Sequence, residues 1–172
     1  MKICTIIPCF NHADYVSNAV GSVFRQAVDA DLSVIVVDDG SRDDSRAVLR
    51  GMSAEEPRLS VLHQSNAGAA QARNLALAAV PGDCDLVTFL DSDDILCPGR
   101  FAADVPHFAQ DAALGFTIGR IRMVDALDYV SGQPTRAARR LEFYGPHLGA
   151  ALFRRSFIEG IGTFDADFAQ GE

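Results

Sequence analysis

Lysine is almost absent from this chain. Lys2 is the only one among fifteen basic residues, which excludes a P-loop lysine, a Schiff-base lysine and the lysine that a phosphorelay receiver would need. Positive charge is scarce as well. The 172 residues carry a formal charge of -8 and the pI is near 4.9, so the general field repels a nucleic-acid backbone and an anionic membrane alike. A phosphate-bearing ligand must then find local help from backbone N–H groups, an arginine or a metal. Cysteines are few and unpatterned: Cys4, Cys9, Cys84 and Cys97 form neither a CxxC pair nor a zinc spacing, and read as reduced thiols that mostly pack. No apolar run approaches the eighteen or so residues of a membrane span. The opening MKICTIIPCF is interrupted by Pro8 and lacks the length and cleavage pattern of a secretion signal. A protein with no transmembrane segment, located in the cytoplasm, is the expectation.

What is present is a single core's worth of apolar residues, 48% of the chain, at a length that fits one domain. Apolar runs alternate with helical patterns through the first hundred residues, which predicts an α/β fold with a mostly parallel, doubly wound sheet flanked by helices. Lys2 to Pro8 reads as the first strand. Val16, Ala19, Val20, Val23 and Phe24 then make one apolar stripe on a helix from about Ala13 to Gln26. Leu32 to Val37 is a second strand, followed by a helix that Ser41 can cap. Leu59 to Gln64 is the third strand, and an Ala-rich helix follows with an inward stripe of Ala72, Leu75, Ala76 and Ala79. Leu86 to Leu90 is the fourth strand, and a helix from about Arg100 to Gln110 comes next. Beyond it the pattern suggests strands near Leu114 to Met123 and Ala150 to Phe153, a helical turn near Phe157, and a polar loop over Asp125 to Gly149.

The stretch VTFLDSDD places three carboxylates within four positions at the end of a buried strand. In a doubly wound sheet the ligand crevice lies outside the carboxyl ends of the strands, where the winding direction reverses. Phe10 and Asn11, Asp38 and Asp39, and Asp91 to Asp94 all follow such ends, and share one crevice if strands one, two and four are neighbours. Carboxylates packed so closely repel one another unless a cation relieves them. A hard divalent ion such as Mg²⁺ or Mn²⁺ takes oxygen ligands and holds substrate phosphates as well. Against this stand plainer roles. Asp38 and Asp94 can cap helices or solvate turns, Phe10 can be core, Arg73 can pair with Asp83 or Asp85, and Asn66 can be a helix cap. His12, His63, His107 and His147 show no sequence pairing that suggests a metal or a triad.

IIPCFN, VIVVDDGSRDDS, NAGAAQARNLAL, FLDSDD and LFRRSFIEGIGTFDADFAQGE, in that order, resemble the successive motifs of the family 2 glycosyltransferases of GT-A fold. The resemblance runs from residue 3 to the last. It implies an inverting enzyme that moves a sugar from a nucleoside-diphosphate sugar to an acceptor hydroxyl, in cell-envelope or polysaccharide synthesis, with a glycan or lipid-linked acceptor. On this resemblance Pro8, Phe10 and Asn11 line the nucleobase and ribose, and Asp39 bonds the base, with UDP favoured. Asn66 shapes the loop carrying Gly68, and Arg73 reaches the base or diphosphate. Asp91, Ser92 and Asp93 match the DxD motif that contacts the donor, Asp91 near the ribose, with Asp91 and Asp93 as the metal pair. Residues 1–99 would form the nucleotide-sugar half and 100–172 an incomplete acceptor half. Glu172 matches the first acid of the Glu-Asp pair that supplies the base, and the usual Asp does not follow it, so a C-terminally truncated form is expected. A binding module without a working base is the alternative.

Overall fold

The computed structural model describes residues 1–122, 142–143 and 147–165. Six strands form the main sheet in the order β3-β2-β1-β4-β8-β5. They are β1 Lys2–Cys9, β2 Asp31–Asp39, β3 Leu59–Gln64, β4 Leu86–Phe89, β5 Phe116–Ile118 and β8 Ala151–Arg154. A separate antiparallel pair joins β6, Ile121–Arg122, to β7, Glu142–Phe143. Helices α1 Val16–Phe24, α2 Ser45–Glu55, α3 Ala69–Ala78, α4 Arg100–Gln110 and α5 Arg155–Ile161 flank the sheet.

β1 is paired in parallel with β2 on one side and β4 on the other, so the chain winds outward through β2 and β3, then crosses back to the opposite side of β1. That reversal is the switch point of a doubly wound sheet. The pairing of β1 with β4 ends at Ile6 and Phe89, whereas its pairing with β2 continues to Cys9 and Asp38. Pro8 is therefore tolerated in a central strand because β4 has already parted from β1 there. The same parting opens a crevice.

Side chains of β1 alternate between two cores. Ile3, Ile7 and Cys9 pack with Val16, Ala19, Val20 and Val23 of α1, Leu49 of α2, and Phe101 and Phe108 of α4. Cys4 and Ile6 face the other way, with Ala72 and Ala76 of α3 and Ile158 of α5. Strands buried on both faces read as nearly continuous apolar runs, as β1 and β2 do.

Local differences from the sequence reading have physical causes. α1 begins at Val16 because His12 accepts the amides of Tyr15 and Val16 in a preceding turn. Asp38 and Asp39 are the last residues of β2 and not the loop after it. The N-cap of α2 is Asp44; the Ser41 hydroxyl instead accepts the Asn11 amide. On α3 the buried residues are Ala72 and Ala76, while Leu75 and Ala79 are exposed, because a helix pressed close to the sheet leaves room inward only for small side chains. β5 spans three residues, not ten, since Gly119 gives its amide to Ala150 and Ile121 starts a separate pairing. β8 runs antiparallel to both β4 and β5, so the residues preceding it, 147–150, arrive at the crevice end of the sheet.

Candidate active site

The loops at the carboxyl ends of β1, β2 and β4 are tied into one rim. After β1, Asn11 adopts a left-handed conformation, φ 55°, which Asn tolerates better than most residues. Its amide donates to the Ser41 hydroxyl at 3.0 Å and its side-chain oxygen accepts the Arg42 amide at 2.7 Å. The His12 amide donates to Ser45 Oγ at 2.9 Å and the Ala13 amide to Asp43 Oδ2 at 3.0 Å. The His12 ring reaches the acidic loop, with Nδ1 2.6 Å from Ser92 Oγ.

Asp39 fastens the loop after β3. Its carboxylate accepts the Ala67 amide at 2.8 Å, the Gly68 amide at 2.9 Å and the Gln64 side chain at 2.7 Å. The Asn66 side chain donates to the Asp39 carbonyl at 3.0 Å, which ties the loop after β3 to the end of β2. Gly68, φ 89°, supplies the backbone corner from which α3 starts. Next to it Asp38 accepts the Ser41 amide and lies 3.1 Å from His63 Nδ1. Burial works to raise the Asp38 carboxyl, but the Ser41 hydroxyl and amide and the His63 ring outweigh it and hold the group below its ordinary range.

Arg73 reaches from α3 into the crevice and donates from Nη2 to Asp91 Oδ1 at 2.7 Å. It pairs with the acidic motif and with neither Asp83 nor Asp85. The guanidinium lies 5.8 Å from the centre of the Phe164 ring. Phe164 is fixed by Asn74, whose side chain donates to its carbonyl and accepts its amide, both at 2.8 Å, and by edge-on packing against Phe89 at 5.2 Å.

The acidic loop itself is mixed in character. Ser92 is buried, Asp91 is half-buried, and Asp93 and Asp94 are exposed. Ligand atoms of Asp91, Asp94 and His147 lie within 4.8 Å of one another. Two carboxylates and an imidazole at that spacing fit a hard divalent cation. Asp93, expected from the sequence to pair with Asp91, lines the same crevice but is not in this converging group. Although Asp94 is exposed as a residue, its carboxyl is partly shielded from water; that shielding, then the charges of Asp91 and Asp93, push it above the ordinary carboxylate range, with His147 opposing.

The resulting crevice holds about 480 Å³. Pro8, Phe10, Asp39, Asn66, Arg73, Asp91, Ser92 and Asp93 all line it, so eight expected site residues are brought together. Phe10 is 40% exposed at the mouth and is not core. Asn11 braces the rim from outside the lining. Glu172 lies outside the described residues, as does most of the stretch from Asp125 to Gly149. Sequence reasoning missed His12 and His147, which it left as surface or packing residues. Ser92 lies 80 positions from His12, and Asp91 and Asp94 lie 56 and 53 positions from His147, so only the parting of β4 from β1 and the reversal of β8 bring them in.

The family described as "Glycosyl transferase family 2" matches residues 4–162. An uncharacterized glycosyltransferase, alr2836, of Nostoc sp. is 32% identical over 82% of this chain and 43% of its own length. The succinoglycan biosynthesis protein ExoU of Rhizobium meliloti is 34% identical over 93% of this chain and 51% of its own. The chain thus spans about half the length of these curated relatives. Among solved structures, a mannosyltransferase of Pyrobaculum calidifontis in complex with GDP-Man and Mn²⁺ superposes with a TM-score of 0.71 at 22% identity, covering 96% of this chain and 48% of that one. S. aureus TarS in complex with UDP gives 0.74 at 19% identity, covering 99% and 52%. These two likenesses concern the fold.

Proposed function

Because this chain belongs to glycosyl transferase family 2 and folds as a GT-A type doubly wound sheet, we propose that its crevice binds a nucleoside-diphosphate sugar. The whole protein then transfers the sugar to an acceptor hydroxyl with inversion. One observation carries the reading: Asp39 from β2, Arg73 from α3, and Asp91 and Asp93 from the loop after β4 line a single crevice. The likeness to a succinoglycan biosynthesis protein and to nucleotide-bound neighbours supports it. Cytoplasmic synthesis of polysaccharide or cell-envelope glycan, on a glycan or lipid-linked acceptor, is the setting we assign.

Each residue has a role in this proposal. Phe10 and Pro8 cover the base and ribose. Asp39 Oδ2 holds one described donor, Gly68, and has a second acceptor position for the imide N–H of a pyrimidine, which favours UDP. Arg73 supplies positive charge beside the diphosphate, which the field of an acidic chain lacks. Mg²⁺ or Mn²⁺ would be held by Asp91, which belongs both to the expected pair with Asp93 and to the converging group with Asp94 and His147. When bound, that cation offsets the charge developing on the departing diphosphate. Residues 1–99 form the donor half, and 100–172 contribute to the acceptor side. Glu172 is assigned as the base that takes the acceptor's proton.

Calorimetric titration of UDP, GDP and dTDP in Mn²⁺ and then in EDTA, on the wild type and on Asp91→Asn, tests the donor site. Binding of one nucleotide that needs the metal and is lost in the variant is the expected result. If no nucleoside diphosphate binds in any condition, the reading is wrong. Binding without acceptor-dependent release of nucleoside diphosphate would indicate a binding module instead of an enzyme.

A further inference from the structure

The loop after β1 grips the middle residue of the acidic motif. Ser92 is 3% exposed and its hydroxyl lies 2.6 Å from His12 Nδ1. The Ser92 and Ser45 side chains both approach the buried Cys9 thiol. His12 is in turn fixed on two sides. Its amide is held by Ser45 at the start of α2, and its ring packs edge-on against Tyr15 at 5.7 Å. The imidazole is therefore a braced post against which the loop after β4 leans.

The arrangement matters because Asp91 and Asp93 flank Ser92 and both line the crevice. β4 has already parted from β1 at this point, so no strand pairing with β1 fixes the loop. A 2.6 Å side-chain bond from a braced ring supplies what the ladder no longer does. Asp91 is drawn toward Arg73 at 2.7 Å, and the hold on Ser92 sets the turn that directs the following acids.

Resting on the donor-site reading above, we propose that His12 is a positioning residue for donor and cation, acting through Ser92 to hold the acidic loop in its binding geometry. Its ring lies on the crevice wall and contacts the acidic loop through Ser92. Asn at position 12 can place a polar atom where Nδ1 stands, since both lie one bond beyond Cγ, whereas Ala cannot.

The test compares wild type, His12→Ala, His12→Asn, Ser92→Ala and the double variant His12→Ala/Ser92→Ala. UDP affinity is measured in Mn²⁺, with amide hydrogen exchange at residues 91–94 followed in the absence of ligand. His12→Ala is expected to weaken UDP binding about tenfold or more and to speed exchange at Asp93 and Asp94, with its melting temperature within a degree or two of wild type. His12→Asn is expected to restore most of both losses. The double variant is expected to bind no worse than the weaker single one, because both substitutions break the same bond. Unchanged affinity and exchange in His12→Ala overturn the proposal, as does full additivity of the two substitutions. A fall in melting temperature that tracks the lost affinity, unrescued by Asn, assigns His12 a merely structural role and also overturns it. Failure of the wild type to bind UDP, GDP or dTDP overturns the donor reading and this inference with it, and is told apart by preceding any substitution.

Discussion

Three donors converge on the Asp39 carboxylate, which is itself 3% exposed. Replacing it with Ala leaves the Ala67 and Gly68 amides without their acceptor, at a cost of about 1–3 kcal/mol. Urea denaturation of Asp39→Ala should show that loss, and its UDP affinity should fall with it. Asp38 makes a different prediction. Its carboxyl is held below the ordinary range in the fold, so its contribution to stability is complete above about pH 4 and is lost as pH falls through the folded value. Asp38→Asn should be less stable at neutral pH and show a flatter acid limb when unfolding is measured from pH 7 down to pH 2. Both acids were legible as strand-end residues because they close an apolar strand, and of the two Asp39 lines the crevice. Their partners were not, since the Ala67 and Gly68 amides lie 28 and 29 positions away and approach only when β3 pairs with β2.

Elements carry their own constraints. Gly40, φ 72°, turns the chain out of β2, and a Cβ there would stand 2.7 Å from the backbone nitrogen of Asn66. Gly40→Ala should cost about 1–3 kcal/mol in strain alone and push the Asn66 loop away, so both the denaturation midpoint and UDP affinity should drop. Pro106 sits inside α4, where it removes a helical hydrogen bond that an ordinary residue would make. Pro106→Ala should raise stability by about 1–2 kcal/mol, the helical gain being partly offset by a freer unfolded chain, and a thermal melt will show it. The strands β1 to β4 were legible from their apolar runs, and α1 from its stripe, because large side chains mark the buried face plainly. α3 was misjudged at Leu75, because in an Ala-rich helix the buried face is marked by smallness and the largest residue points outward.

Across the whole molecule, the thiols report on integrity. Burial pushes the Cys4 thiol up to about 12 and the Cys9 thiol up to about 11, and Cys84 is buried too. A thiol reagent at neutral pH should label only the exposed Cys97 in the native protein and all four cysteines in urea, and mass spectrometry distinguishes the two patterns. The position of the crevice followed from a general rule about doubly wound sheets and from the acids of VTFLDSDD. The reversed direction of β8 did not, because periodicity says which residues are buried and nothing about which way a strand runs. That reversal is what lets residues ahead of a strand, His147 among them, face the same opening as residues behind the others.

β1 pairs with β2 some thirty residues later, but its other edge waits for β4, which begins at Leu86. During synthesis the first three strands can associate as soon as they emerge, while the edge of β1 from Ile3 to Ile6 stays bare until three helices and two strands have been made. Longer loops close more slowly and at greater entropic cost. The crevice is thus the last-formed part of the first hundred residues: it does not exist as a place until the middle of the sheet is sealed, and on the proposed function a nascent chain can hold no nucleotide sugar before that moment.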